Sequence, residues 1–240
     1  MPALRAADGY LNNDPNHRDK TFFCFDGKHG HRAGEATANG VLKLDREIAE
    51  AVKADGAKAA LGFGFLDSQQ AFYDGYSLNA SEGEWAKRRY LDPFTPVIAR
   101  AEVRRARRDM NQALLNRFNI AFDLNFHGSQ LKDYPHIAEY GRRIKALRER
   151  YAAELWNAEF VERQGAQVNG PDLSYSVFAG RNGKRAVVVV NMGTERASKA
   201  EVTLPGASAM AYASPEDPAQ KTFGGSVEIA PQSAVVIFEK

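Results

Sequence analysis

The sequence predicts an α/β part built of partial, half TIM-barrel-like β/α units, followed by an antiparallel all-β sandwich. Three observations predict this. Residues 1–157 alternate apolar, β-prone runs with amphipathic helical stretches, the pattern of a parallel sheet. Residues 158–240 carry short alternating runs broken by Gly and Pro, the pattern of a sandwich. The first part holds four β/α units, whereas a closed barrel has eight and runs to about 250 residues.

In the first part, Thr21–Phe25 reads as a strand halted at Asp26-Gly27, and a Gly- and His-rich loop follows. Leu42–Ala54 is then a helix, with Leu44, Ile48, Ala51 and Val52 on one face. Ala59–Phe65 is a second strand and Pro96–Ala99 a third. Arg104–Arg117 is a helix carrying Met110, Ala113 and Leu114, and Asn119–Phe122 a fourth strand. Ile137–Trp156 is a long helix with Ile144, Leu147, Tyr151 and Leu155. An open sheet of this size bares two edges. The chain is therefore expected to be a fragment, or to pair as a homodimer or with a missing N-terminal half-barrel chain; a four-unit doubly wound sheet is the alternative.

In the second part, Ser174–Phe178 leads through an Asn182-Gly183 turn into the β-branched run Arg185–Val190. Ala200–Leu204, Met210–Ala213, Ser226–Ile229 and Ala234–Phe238 complete the set. No His, Asp or Glu cluster lies among them, so this domain, residues 158–240, is expected to be structural and the domain 1–157 to carry the chemistry.

Bulk properties narrow the function. A net charge of +2 gives no case for nucleic acid, and the arginines at 100, 104, 105, 107 and 108 read as a solvated helix face. No apolar run approaches the roughly 20 residues of a membrane span. The first residues lack the apolar core of a signal peptide, which leaves a cytoplasmic protein or one exported after signal removal. Cys24 is the single cysteine, excluding an intrachain disulfide and a Cys-cluster metal site; it reads as a small buried hydrophobe.

Ligands of parallel α/β sheets meet the loops after the strands' C-terminal ends. The first such loop gathers Asp26, His29, His31 and Glu35; the second offers Asp67, with Tyr73 and Asp74 after it. The third offers Arg100 and Glu102, and the fourth Asp123, Asn125 and His127. A carboxylate at the mouth of an apolar strand, as at Asp26, is open to tuning by its neighbours. Phe63, Phe65, Phe72, Tyr73, Tyr76, Trp85 and Tyr90 add aromatic faces. Sugar rings stack on such faces while carboxylates bind their hydroxyls. His29 and His31 with a carboxylate would also serve a metal-dependent hydrolase, but the pattern lacks fixed companions, and no metal or cofactor is assigned.

Cys24-Phe-Asp-Gly-Lys-His-Gly-His31, Tyr73-Asp-Gly-Tyr76, Met110-Asn-Gln-Ala-Leu-Leu115, Asp133-Tyr-Pro135 and Tyr140-Gly-Arg-Arg-Ile-Lys-Ala-Leu-Arg148 together carry a resemblance. They resemble a group of bacterial glycoside hydrolase-like proteins in which a (β/α)₈ barrel precedes a C-terminal sandwich, matched here by the second half of the barrel and the sandwich. The resemblance implies hydrolysis of a glycosidic bond by paired carboxylates. Asp26 would be the nucleophile or base and Asp67 the acid, with His29, His31, Glu35, Tyr73, Asp74, Arg100 and His127 contacting the sugar. Gly62-Phe63-Gly64-Phe65 stands where the resemblance calls for a glutamate. That departure supports a second reading, a non-catalytic carbohydrate-binding or interaction protein.

Overall fold

A computed structural model describes residues 9–12, 24–32, 35–56, 59–63, 72–78, 87, 89–90, 93–123 and 130–240. They fall into two compact units, Met1–Asn79 with Thr95–Ile98, and Ala80–Phe94 with Ala99–Lys240.

The first unit is a parallel β/α layer. Strand β1 (Gly9–Asn12) passes through helix α1 (Glu35–Ala54) to β2 (Ala59–Phe63), and β3 (Gly75–Leu78) follows. β1 pairs parallel with β2, Gly9 opposite Ala59, and β2 pairs parallel with β3, Leu61 opposite Gly75. Ala49 of α1 packs on Ala60 of β2 and on Tyr73. Gly75 carries no side chain for a steric reason: a Cβ there would lie 2.6 Å from the carbonyl oxygen of Pro96. β1 was not foreseen, because its four residues Gly-Tyr-Leu-Asn show no period. Of the expected strand Thr21–Phe25, residues 21–23 lie outside the described residues. Cys24–Asp26 carries no strand assignment and runs into a 3₁₀ turn, Gly27–His29, with Cys24 half-buried.

Strand β4 (Val97–Glu102) begins in the first unit and ends in the second. A 3₁₀ turn (Val103–Arg105), helix α2 (Ala106–Leu115), strand β5 (Asn119–Asp123) and helix α3 (Pro135–Arg150) follow. Within the first unit the strand order is β1-β2-β3. β4 alternates, burying Val97, Ala99 and Ala101. α3 opens on Pro135, whose missing N–H costs nothing in a first turn. It ends at Arg150, short of the expected Trp156, because Tyr151 leaves helical geometry at φ −117°, ψ 41°. Tertiary contacts hold Tyr151 there: its ring lies 4.3 Å from that of Phe238 and its hydroxyl donates to the carbonyl of Pro218.

Two antiparallel sheets complete the second unit. The larger has six strands in the order β12-β11-β14-β9-β8-β6, from β6 (Glu159–Phe160), β8 (Leu173–Ala179), β9 (Arg185–Asn191), β11 (Met210–Ala213), β12 (Lys221–Thr222) and β14 (Ala234–Glu239). The smaller is β13-β10-β7, from β7 (Gln167–Asn169), β10 (Ser198–Thr203) and β13 (Ser226–Ile229). Along β9, Val187 and Val189 face the small sheet's Ala200, Val202 and Ile229. Ala186, Val188 and Val190 face the other way, onto Met110, Leu114, Ile144 and Leu147 of α2 and α3. A strand buried on both faces reads as a continuous apolar run, which explains Ala186–Val190. The expected joint at 157/158 thus falls within the second unit, where one hydrophobic cluster runs from Ala101 to Phe238. No helix among the described residues is long and apolar enough to cross a membrane.

Candidate functional site

Asp26 lies in the connection from β1 to α1. It is exposed and caps the 3₁₀ turn, its Oδ1 accepting from the backbone N–H of Lys28 at 2.9 Å. This bond fixes one carboxylate oxygen and polarises the group, as at any helix N-terminus. Phe25 beside it is 72% exposed. His29 closes the turn, and Gly30, at φ 76°, takes the left-handed conformation that the reversal towards His31 requires. His31 Nδ1 donates to the carbonyl of Arg32 at 2.8 Å. Glu35 is the first residue of α1.

Tyr73 and Asp74 have defined partners within the first unit. The buried Tyr73 hydroxyl donates to Asp45 Oδ1 at 2.8 Å. Asp74 accepts from the Ala60 N–H at 2.9 Å and from Lys53 Nζ at 3.0 Å, clasping β2 and the end of α1. Burial works to raise its pKa, but the Ala60 amide and Lys53 outweigh it and hold the carboxyl below its ordinary value. Asp67 and His127 lie outside the described residues.

In the second unit, Arg100 sits inside β4 rather than in the loop after it, half-buried on the face opposite Ala99 and Ala101. Glu102 ends the same strand. Its Oε1 accepts from Arg105 at 3.0 Å, and its backbone N–H donates to Asp109 Oδ2 at 3.0 Å. Arg105 also pairs with Asp109 at 3.3 Å. Burial raises the Asp109 pKa, against the opposing pull of the Glu102 amide and Arg105. Asp109 is not among the residues singled out from the sequence; its signal is the spacing Glu102, Arg105, Asp109, which puts the last two one helical turn apart. Asp123 is the last residue of β5, so β4 and β5 each end in a carboxylic residue. Among the described residues, no three His, Cys, Asp or Glu side chains gather as a metal site would need.

No protein-family model matches the sequence, and no curated protein matches it. Solved structures match in fold. Amy13B from Eubacterium rectale matches over 97% of this chain and 60% of its own, with 10% identity and a TM-score of 0.55. A GH27 β-L-arabinopyranosidase from Geobacillus stearothermophilus, in complex with arabinose, matches over 82% of this chain and 54% of its own, at 12% identity and a TM-score of 0.49. The α-fucosidase of Thermotoga maritima matches over 88% and 59%, at 10% identity and a TM-score of 0.39. The chain spans between about half and three fifths of the length of these three structures. Its fold is glycoside hydrolase-like: partial barrel units followed by a β-sandwich.

Proposed function

We propose that this chain is part of a glycoside hydrolase-like protein that binds carbohydrate and hydrolyses a glycosidic bond with paired carboxylates. The observation that carries the reading is the likeness to Amy13B, which takes in 97% of the chain. Asp26 is the proposed nucleophile or base. Its support is local: an exposed carboxylate in the β1–α1 connection, oriented by the Lys28 amide, with the exposed Phe25 ring beside it for a sugar to stack on. Asp67, in the β2–β3 connection, is the proposed acid; a gap of about 5–5.5 Å to its partner would mean retention and about 6.5–9.5 Å inversion. His29, His31, Glu35, Tyr73, Asp74, Arg100 and His127 are the proposed sugar contacts. A second copy, or an N-terminal half-barrel chain, would supply the strands that complete the barrel.

The test is product release from a panel of oligosaccharides and aryl glycosides. Asp26→Asn is expected to cut the turnover of any responsive glycoside by roughly 10²-fold or more, with folding unchanged. Unchanged turnover in Asp26→Asn would remove Asp26 from the chemistry.

One observation favours a non-catalytic carbohydrate-binding protein instead: β2 ends in Leu-Gly-Phe63 and has no carboxylate at its C-terminal end. Sugar binding without product from any member of the panel is the result that reading expects.

A further inference from the structure

A cavity of about 860 Å³ lies between β5 and α3 in the second unit. That volume is in the range of small-molecule sites, roughly 300–1,000 Å³. Ile120, Phe122, Ala138, Ile144 and Trp156 give it an apolar lining. Its one deeply buried charge is Arg148, which lines the cavity at 8% exposure.

The charges around the cavity are not equally matched. Arg142 is paired with Glu139 at 3.1 Å and Lys145 with Glu149 at 2.7 Å. Arg148 has no carboxylate partner among the described residues. One of its N–H groups donates to the carbonyl of Ala113 at 2.7 Å, and the guanidinium stacks over Trp156 at 5.1 Å. A guanidinium carries five N–H donors, and among the described residues Arg148 uses one of them on a hydrogen bond. Burial, and then the nearby Arg89, act against its charge. An unpaired buried cation is costly, and an anion entering from the cavity would relieve that cost.

We propose that the β5–α3 cavity is a binding site for an apolar monocarboxylate, its carboxylate held by Arg148 and its hydrocarbon body by Phe122, Ile144 and Trp156. The planar guanidinium fork matches a carboxylate's two oxygens, and the burial of Arg148 weakens the competition of water for the pair. The proposal does not depend on glycosidase activity.

The test is calorimetric titration of the full chain with octanoate, below its micelle concentration, and with neutral octanamide. Octanoate is expected to saturate at one site per chain and to bind about tenfold or more tightly than octanamide, a difference of about 1.4 kcal/mol. Arg148→Met is expected to bring octanoate down to the octanamide level, while Arg148→Lys retains part of the preference. If Arg148→Met does not fold, the acid–amide comparison on the unaltered chain decides alone. Absence of saturation, or equal binding of acid and amide, would overturn the proposal. So would octanoate binding that disappears as the chain dimerises, because the cavity would then be the seat of a second copy.

Discussion

Residues 158–240 expressed alone are expected not to fold to a monomeric, cooperatively melting domain. In the full chain the six-stranded sheet is covered on both faces, by the small sheet on one side and by α2 and α3 on the other. Removing residues 1–157 leaves the small sheet but strips Met110, Leu114, Ile144 and Leu147 from Val188, Val190, Val236 and Phe238, all 2% exposed or less. Burying one such side chain is worth about 1.5–3 kcal/mol, so uncovering several removes stability comparable to a whole domain's roughly 5–15 kcal/mol. Residues 99–240, which keep both helices, are expected to hold the sandwich in its native form. Thermal unfolding followed by circular dichroism, with size-exclusion chromatography, compares the two. A soluble, cooperative 158–240 fragment would support a domain boundary at 157/158.

Asn111→Ala is expected to destabilise the chain by about 2–4 kcal/mol, from two buried hydrogen bonds broken at once. Asn111 is fully buried on α2. Its Nδ2 donates to the carbonyl of Gln232 at 2.8 Å, in the turn before β14, and its Oδ1 accepts from the Tyr140 hydroxyl of α3 at 2.5 Å. One amide thus ties both helices to the sandwich. Its loss leaves the Tyr140 hydroxyl without that acceptor at a buried position, where burial already pushes the phenol pKa up. Tyr140→Phe alone is expected to cost about 1 kcal/mol, and in the Asn111→Ala background close to nothing, because the hydroxyl has by then lost its acceptor. Additive losses in chemical denaturation of this double-mutant cycle would show that the two groups act separately.

The same network explains which parts of the fold were legible. Met110, Ala113 and Leu114, and Ile144 with Leu147, repeat at helical spacing, and Val187–Val190 with Ala234–Phe238 form β-branched runs between turn signals. Local pattern alone therefore identifies those elements. What those elements pack against is not local. Val188 and Val189 are chemically identical neighbours, yet one faces the helices and the other the small sheet. The continuity of the core past residue 157 rests on contacts such as Asn111 to Gln232, more than a hundred residues apart, that no sequence window contains. The candidate site shows the same limit. Asp26 stands out by its place after an apolar run, but Cys24–Asp26 carries no strand assignment and Phe25 is exposed. Tyr73 and Asp74 are proposed sugar contacts because aromatic and acidic residues suit sugars; their protein partners Asp45, Lys53 and Ala60 are distant in sequence and become visible only with α1 and β2 in place. Glu102 and Asp109 were present in the sequence as charges among arginines and acquire a joint arrangement only at the end of β4.

The central claim is that this glycoside hydrolase-like fold engages carbohydrate through the loop around Asp26. Its most direct test is glycan-array screening of the full chain, followed by calorimetry with the strongest glycan for the unaltered chain and for Phe25→Ala. The account predicts saturable binding that Phe25→Ala weakens by about tenfold or more, the stacking of one sugar ring on one aromatic face being worth about 1–2 kcal/mol. A folded chain that binds no glycan, or binds one equally well with and without the Phe25 ring, would contradict it.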